Sequence, residues 1–165
     1  VQPPVSHKSP RKLNPADIKA IQATSDLCDS ERAHADTYRL DNQHSVGIVG
    51  CLMGAYQGAS LIVVIDEKGK WAPARIEQPE PFAKDAEPYD SYLLTEAGFV
   101  EKDRLLFSAA KGRGLADCGE SASWAWDGKM FRLARYNALH SCVGAPPGTW
   151  LSWWQTANDP LGQDE

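Results

Sequence analysis

The sequence contains no apolar run that approaches the roughly 18 residues that a helix needs to cross a membrane. It also lacks an excess of positive charge, since the formal net charge is −5 and the isoelectric point is about 5.4. A protein that binds nucleic acids irrespective of their sequence needs a basic face, so this balance argues against that class. The sequence therefore predicts no membrane span and no nucleic-acid partner.

No motif typical of a catalytic centre is present. No serine lies in a G-x-S-x-G segment, and no motif surrounds any of the four histidines, His7, His34, His44 and His140. The Gly-rich segment at 111–114 does not match the phosphate-binding loop G-x-x-x-x-G-K-[ST]. We predict no catalytic residues, no cofactor and no metal ligands.

The four cysteines include no C-x-x-C pair, which zinc sites normally contain, so their even number favours disulfides. Of the three possible connectivities we prefer Cys28–Cys51 with Cys118–Cys142, whose partners are 23 and 24 residues apart. Disulfides form in oxidising compartments. The chain begins at Val1 rather than at a methionine, which a removed signal peptide would explain, although no such segment is visible in the sequence. We therefore expect a periplasmic or secreted protein.

The length of 165 residues is enough for one domain with a substantial core. Residues 1–13 are polar, basic and rich in proline, which predicts a flexible lead-in. Residues 14–156 form the predicted single β-rich domain, and 157–165 form a polar tail. Asn14 and Pro15 are typical of a helix start, and we predict that this helix ends near residue 27.

Short apolar runs separated by turn residues predict about seven strands after the helix. The run Ser60–Asp66 is almost entirely apolar and β-branched, which is typical of a central strand buried on both faces. The predicted fold class is α+β and mainly antiparallel β. An N-terminal helix precedes the strands, which form one sheet or a half-barrel held by disulfides.

Asp127-Gly128 suits the two-residue loop of a type I′ hairpin, where both residues need positive φ. That loop places Trp124 opposite Phe131 on the core face. Cys118 and Cys142 flank the hairpin, so a bridge between them would close its base.

Two polar and aromatic features are candidate binding elements. Lys111 and Arg113 lie on a Gly-rich turn that could approach an anion, although Arg113 could instead pair with Asp117 or Glu120. Near the C-terminus, strand alternation puts Trp150 and Trp154 on one face and Trp153 on the other, with one face in the core. The candidate ligand-binding or partner-binding residues are Lys111, Arg113, Asp117 and Trp153.

The order of motifs resembles the bacterial secreted family catalogued as domain of unknown function 1176. GCLMGAYQGAS at 50–60 is similar to a family segment Pro-Cys-x-x-Gly-Ala-Tyr, with Gly50 in place of the proline. KGRGLADCGESASWAWDGKMFRL at 111–133 is similar to the family segment Gly-Arg-Gly-x-x-Asp-Cys-Gly followed by Trp-x-Trp-Asp-Gly. The resemblance covers about residues 15–156. It implies an exported envelope protein and implies no catalytic residues.

Three functions are consistent with these features. The first is a non-enzymatic exported envelope module that binds a protein partner, in an inhibitor or immunity-type role. The second is a binder of carbohydrate or peptidoglycan fragments that uses exposed tryptophan and Arg113. The third is an envelope hydrolase that depends on two carboxylates. The acidic segment at 77–91 could be mistaken for such a pair, but its prolines and carboxylates are typical of a solvated loop.

Overall fold

The computed structural model describes residues 2–5, 7–29, 34–79, 92–146 and 149–156. It contains one helix and ten strands in these residues, arranged as two antiparallel five-stranded sheets. The elements are α1 (Pro15–Gln22), β1 (Ala35–Arg39), β2 (His44–Met53), β3 (Gly58–Asp66), β4 (Trp71–Pro73), β5 (Leu93–Thr95), β6 (Gly98–Val100), β7 (Leu105–Lys111), β8 (Gly119–Trp126), β9 (Phe131–Leu139) and β10 (Leu151–Gln155). The predicted fold class is confirmed, with ten strands rather than about seven and two sheets rather than one sheet or a half-barrel.

The helix begins as the sequence predicted and ends earlier. The Asn14 side chain accepts a hydrogen bond from the Asp17 backbone N–H at 2.8 Å, and the Asp17 carboxylate accepts one from the Asn14 N–H. Helix α1 ends at Gln22 rather than near residue 27, because the chain turns there and the Thr24 hydroxyl donates to the Ile21 carbonyl oxygen. Ile18 and Ile21 bury the inner face of the helix against the sheets.

The first sheet has the order β1-β2-β3-β4, with β5 also paired to β3. The long strand β3 is central as predicted, since β2 lies along one edge while β4 and β5 share the other. Leu61, Ile62 and Val63 are all buried, so both faces of this strand are covered. The second sheet has the order β10-β9-β8-β7-β6, which leaves β10 at an edge. Side chains from both sheets form one hydrophobic core.

The β8–β9 hairpin has a different register from the predicted one. Trp126 pairs with Phe131 and Trp124 with Leu133, so the connection is a four-residue loop rather than Asp127-Gly128 alone. The Asp127 carboxylate causes this, because its Oδ1 accepts hydrogen bonds from the N–H groups of Lys129 and Met130. A shift of two residues preserves the face of each side chain, so Trp124 and Phe131 are in the core as predicted.

Both predicted disulfides, Cys28–Cys51 and Cys118–Cys142, are formed. The first joins the segment after α1 to β2, and the second joins the residue before β8 to the segment after β9. Among the residues that the structure describes, no helix is long and apolar enough to cross a membrane. The two disulfides are compatible with a protein outside the cytoplasm.

The lead-in contacts the domain at several points. The Gln2 side chain donates to the carbonyl oxygens of Asp103 and Arg104, and the Arg11 N–H donates to the Ser45 hydroxyl. The flexibility of this segment in solution stays a prediction. Most of the predicted acidic loop and the whole polar tail lie outside the described residues.

Candidate functional site

Residues 112–118, here called the bridge loop, connect β7 to β8 and contain two of the candidate residues. The Arg113 guanidinium donates two hydrogen bonds to Asp117, one of them from Nε to Oδ1 at 2.6 Å. Asp117 is only 3% exposed, whereas the Arg113 side chain is half-exposed. Arg113 thus pairs with Asp117, the alternative role that the sequence offered, and the pair holds the bridge loop in a closed turn.

Asp117 also connects the bridge loop to the segment after β9. Its Oδ2 accepts a hydrogen bond from the Gly144 backbone N–H at 2.8 Å, and the adjacent Cys118 is bonded to Cys142. The Arg113 guanidinium and the Gly144 N–H lower the pKa of Asp117 to about 2, against the opposing effect of burial. Asp117, Cys118 and Cys142 lie close enough together to be considered as metal ligands. Because the two cysteine sulfurs are joined in a disulfide, they offer no thiolate to a metal ion.

Lys111 lies at the end of β7, where its backbone is fixed by the turn between β2 and β3. Its N–H donates to Gln57 Oε1 at 2.9 Å, and its carbonyl oxygen accepts from Gln57 Nε2. Lys111, Arg113 and Asp117 therefore lie close together on one loop and its preceding strand. Their role in binding stays a prediction.

The fourth candidate, Trp153, lies on β10. It is 61% exposed, its indole N–H donates to the Ala138 carbonyl oxygen, and its ring lies 6.0 Å from that of His140. The alternation argument was wrong for this strand, because Trp154 is also 54% exposed and all five residues of β10 are exposed. The reason is a register shift between Ser152 and Trp154 on a strand that covers only the sheet edge.

Seven of the ten exposed large hydrophobic residues in the described part of the chain belong to segments that are connected to one another. We call this set the apolar end surface, and its members are Met53, Tyr56, Leu115, Val143, Leu151, Trp153 and Trp154. The Gln57–Lys111 hydrogen bonds, the Cys118–Cys142 bridge and the β9–β10 pairing join the segments that hold them. Exposed apolar surface of this extent is typical of an interaction site.

A second polar group was not indicated by the sequence, because its members are distant in the chain. The Trp126 indole N–H donates to Asp41 Oδ2 at 2.6 Å, and both Asp41 oxygens lie within 3.0 Å of His44 Nδ1. Burial alone would raise the pKa of Asp41, but the hydrogen bonds from Trp126, Gln43 and His44 outweigh it and hold that pKa below its ordinary value. The one available signal was the Asp-x-x-His spacing at 41–44.

The Asp117 ion pair predicts a specific acid response. Because its pKa in the folded protein is about 2 and lies below the ordinary value of 3.8, Asp117 stabilises the fold above about pH 4. That contribution is lost as the pH falls from 4 towards 2. The variant Asp117→Asn should be less stable than the wild type at pH 7, and the difference should shrink over that window. Urea unfolding at pH 7, 4, 3 and 2 measures it.

The control for this prediction is Asp26→Asn, which changes an exposed carboxylate by the same chemistry. Its stability should follow that of the wild type at each pH. If the free energies of unfolding of the wild type and of Asp117→Asn differ by the same amount from pH 7 to pH 2, the role assigned to Asp117 is contradicted.

Comparison with known proteins identifies the family. The family described as "Protein of unknown function (DUF1176)" matches residues 1–157. The Escherichia coli (strain K12) protein described as "Uncharacterized protein YpfG" is 34% identical over 129 residues, which cover 78% of this chain and 37% of that protein. The chain thus spans little more than a third of the length of this relative, and no solved structure matches it. The resemblance noted in the sequence is confirmed: the chain belongs to the DUF1176 family.

Proposed function

We propose that this chain is a non-enzymatic binding domain of the cell envelope whose apolar end surface recognises a protein partner. The observation that carries the proposal is the concentration of exposed apolar side chains on connected segments, with Leu115 and Val143 each at least 70% exposed. Aromatic and aliphatic side chains of this kind form the desolvated centres of protein interfaces. The role is that of an inhibitor or immunity-type factor.

The local framework beneath the surface supports this role. The Cys118–Cys142 bridge, the Arg113–Asp117 pair and the hydrogen bond from Gly144 to Asp117 fix the bridge loop that holds Leu115. A surface that is ordered before binding loses less conformational entropy when the partner docks. The framework therefore favours recognition by a preformed surface.

Strand β10 supplies a second mode of contact with the same partner. It is the outermost strand of its sheet, and its sequence LSWWQ contains no charged residue and no proline. Proteins usually protect an exposed edge with such residues, because an unprotected edge pairs with other strands. A strand of the partner can therefore add to β10 while Trp153 and Trp154 contact its side chains.

The compartment we propose is the periplasm or the cell exterior. All four cysteines form disulfides, and such bridges persist in oxidising environments. A partner must be present in the same compartment, so the search for it is restricted to the proteins of the cell envelope.

The test compares the wild type with Leu115→Ser/Trp154→Ser, which removes two apolar side chains from the surface without touching the core. Both are used as bait in an envelope extract, after size-exclusion mass measurement establishes whether the chain associates with itself. We expect one partner to be retained by the wild type and by Val5→Ser, a control at another exposed apolar residue. The same partner should be lost with the double variant. Equal recovery by all three baits, or none from the wild type in repeated trials, contradicts the proposal.

The exposed tryptophans also favour a second function, the binding of carbohydrate or peptidoglycan fragments. Trp153 and Trp154 present aromatic surface of the kind that stacks on sugar rings. Arg113 supports this less, because Asp117 already holds its guanidinium. A glycan array distinguishes the two functions: specific binding that Trp153→Ala abolishes favours the glycan, and an array without signal argues against it.

The carboxylate-dependent hydrolase gains no support from the described residues. The carboxylates of Asp41, Asp117 and Asp127 each accept hydrogen bonds from a side chain and from backbone N–H groups. Glu77, which begins the acidic loop, accepts a hydrogen bond from the Leu133 N–H. These carboxylates thus serve to hold the fold.

A further inference from the structure

A cleft of about 480 Å³ lies between the β3–β4 turn and the β8–β9 turn. It shares no residue with the apolar end surface, and β2 runs from His44 in the cleft to Met53 in that surface. The ten residues of β2 span about 30 Å. The two regions are therefore separate, and a ligand in the cleft does not depend on the protein partner proposed above.

Three cationic side chains line this cleft: Lys70 of the β3–β4 turn, Lys129 of the β8–β9 turn, and Arg75 after β4. All three residues are exposed, and no ion pair within the described ranges involves their charged groups. One carboxylate, that of Asp66, also lines the cleft, and its Oδ1 already accepts hydrogen bonds from the N–H groups of Lys68 and Lys70. In a chain of net charge −5, this cleft is a local concentration of positive charge.

His44 forms part of the cleft wall, and the polar group described above fixes its orientation. Both oxygens of buried Asp41 lie within 3.0 Å of Nδ1, so Nε2 is the ring nitrogen that remains for a ligand. The indole N–H of Trp126 holds Asp41 from the other side, and the His44 and Trp126 rings meet edge to face at 5.5 Å. This chain of contacts keeps the imidazole in place before any ligand arrives.

We propose that this cleft binds the phosphate group of a small molecule, through Lys70, Arg75 and Lys129, with His44 Nε2 as a further contact. A phosphate carries close to two negative charges and three strongly accepting oxygens, which matches three cationic side chains that form no ion pair with the residues the structure describes. Trp71 also lines the cleft, and its ring supplies an apolar face for the rest of the ligand. The lining contains no serine, threonine or cysteine, so it offers no hydroxyl or thiol nucleophile.

The experiment is a ¹H–¹⁵N NMR titration of the folded chain with inorganic phosphate. We expect saturable shifts of the backbone N–H signals of His44, Lys70 and Lys129 and of the Trp126 indole N–H. The variant Lys70→Gln/Lys129→Gln should weaken the affinity for phosphate by about tenfold or more. The matched control Lys19→Gln/Lys102→Gln removes the same charge from two exposed lysines that do not line this cleft and should leave the affinity within about twofold.

Shifts that do not saturate overturn the proposal, and so does equal weakening in the two double variants, because both results indicate general charge screening. A phosphate group can also belong to a lipid, so the same proteins are sedimented with vesicles of phosphatidylglycerol and of phosphatidylcholine. If the wild type sediments with phosphatidylglycerol vesicles only, and Lys70→Gln/Lys129→Gln does not sediment with them, the phosphate belongs to a lipid headgroup. Saturable binding of inorganic phosphate without sedimentation assigns it to a free molecule.

Discussion

Replacing Gly119 by alanine is expected to lower the free energy of unfolding by about 3 kcal/mol, through backbone strain and overpacking together. Gly119 begins β8 with φ of 142°, a conformation that residues with a side chain rarely adopt. A Cβ at this position would lie 2.2 Å from the Ala110 carbonyl oxygen and 3.0 Å from the Lys111 Cα. Both are backbone atoms of the paired strand β7, so neither can move without disrupting the sheet. Urea unfolding followed by tryptophan fluorescence measures the loss.

Two other glycines give matched controls for this substitution. A Cβ at Gly114 in the bridge loop meets no atom within 4 Å, so Gly114→Ala should change the stability by less than about 0.5 kcal/mol. A Cβ at Gly98 would overlap the Phe107 ring, which is partly exposed and can rotate away, so that variant should be intermediate. A Gly119→Ala protein as stable as Gly114→Ala would contradict the described start of β8.

The second large effect is expected from the disulfides. Cys118→Ala/Cys142→Ala and Cys28→Ala/Cys51→Ala open loops of 24 and 23 residues, and each should cost about 3 kcal/mol in the chain-entropy model. The two variants thus form a matched pair of nearly equal destabilisation. Urea unfolding of both, without reductant, tests this equality.

Their effects on partner binding should differ. The Cys118–Cys142 bridge holds the bridge loop and the segment with Val143, so its loss should weaken retention of the envelope partner well beyond the effect of the other variant. Cys28–Cys51 instead joins the segment after α1 to β2. Equal retention of the partner by the two variants, at a temperature where both are folded, would mean that the Cys118–Cys142 disulfide does not contribute to binding by the apolar end surface.

The sequence predicted those parts of the fold that depend on local signals. The capping residue Asn14 and Pro15 marked the start of α1, and the β-branched run at Ser60–Asp66 marked the central strand. The hairpin shows the limit of such signals. Alternation predicted the correct face for Trp124, but the register depended on the Asp127 carboxylate, which extends the turn by hydrogen bonds to two N–H groups.

The candidate sites were harder to predict because they depend on contacts between distant residues. The Trp126 to Asp41 hydrogen bond joins positions 85 residues apart, and no local pattern indicates it. Arg113 and Asp117 are only four residues apart, so their pairing could be predicted from the sequence. The exposure of both Trp153 and Trp154 was missed, because alternation assumes a regular strand packed on a core and β10 is an irregular edge.

The most direct test of the proposed function is site-specific photo-crosslinking in envelope extract. A benzophenone amino acid is placed at Leu115 or Val143 in the apolar end surface, and at Val5 or Lys129 as exposed controls away from it. The proposed function predicts that the first two positions crosslink to the same envelope protein on irradiation, while neither control does. Crosslinks of equal yield from all four positions, or from the controls alone, would contradict the assignment of the apolar end surface as the binding site.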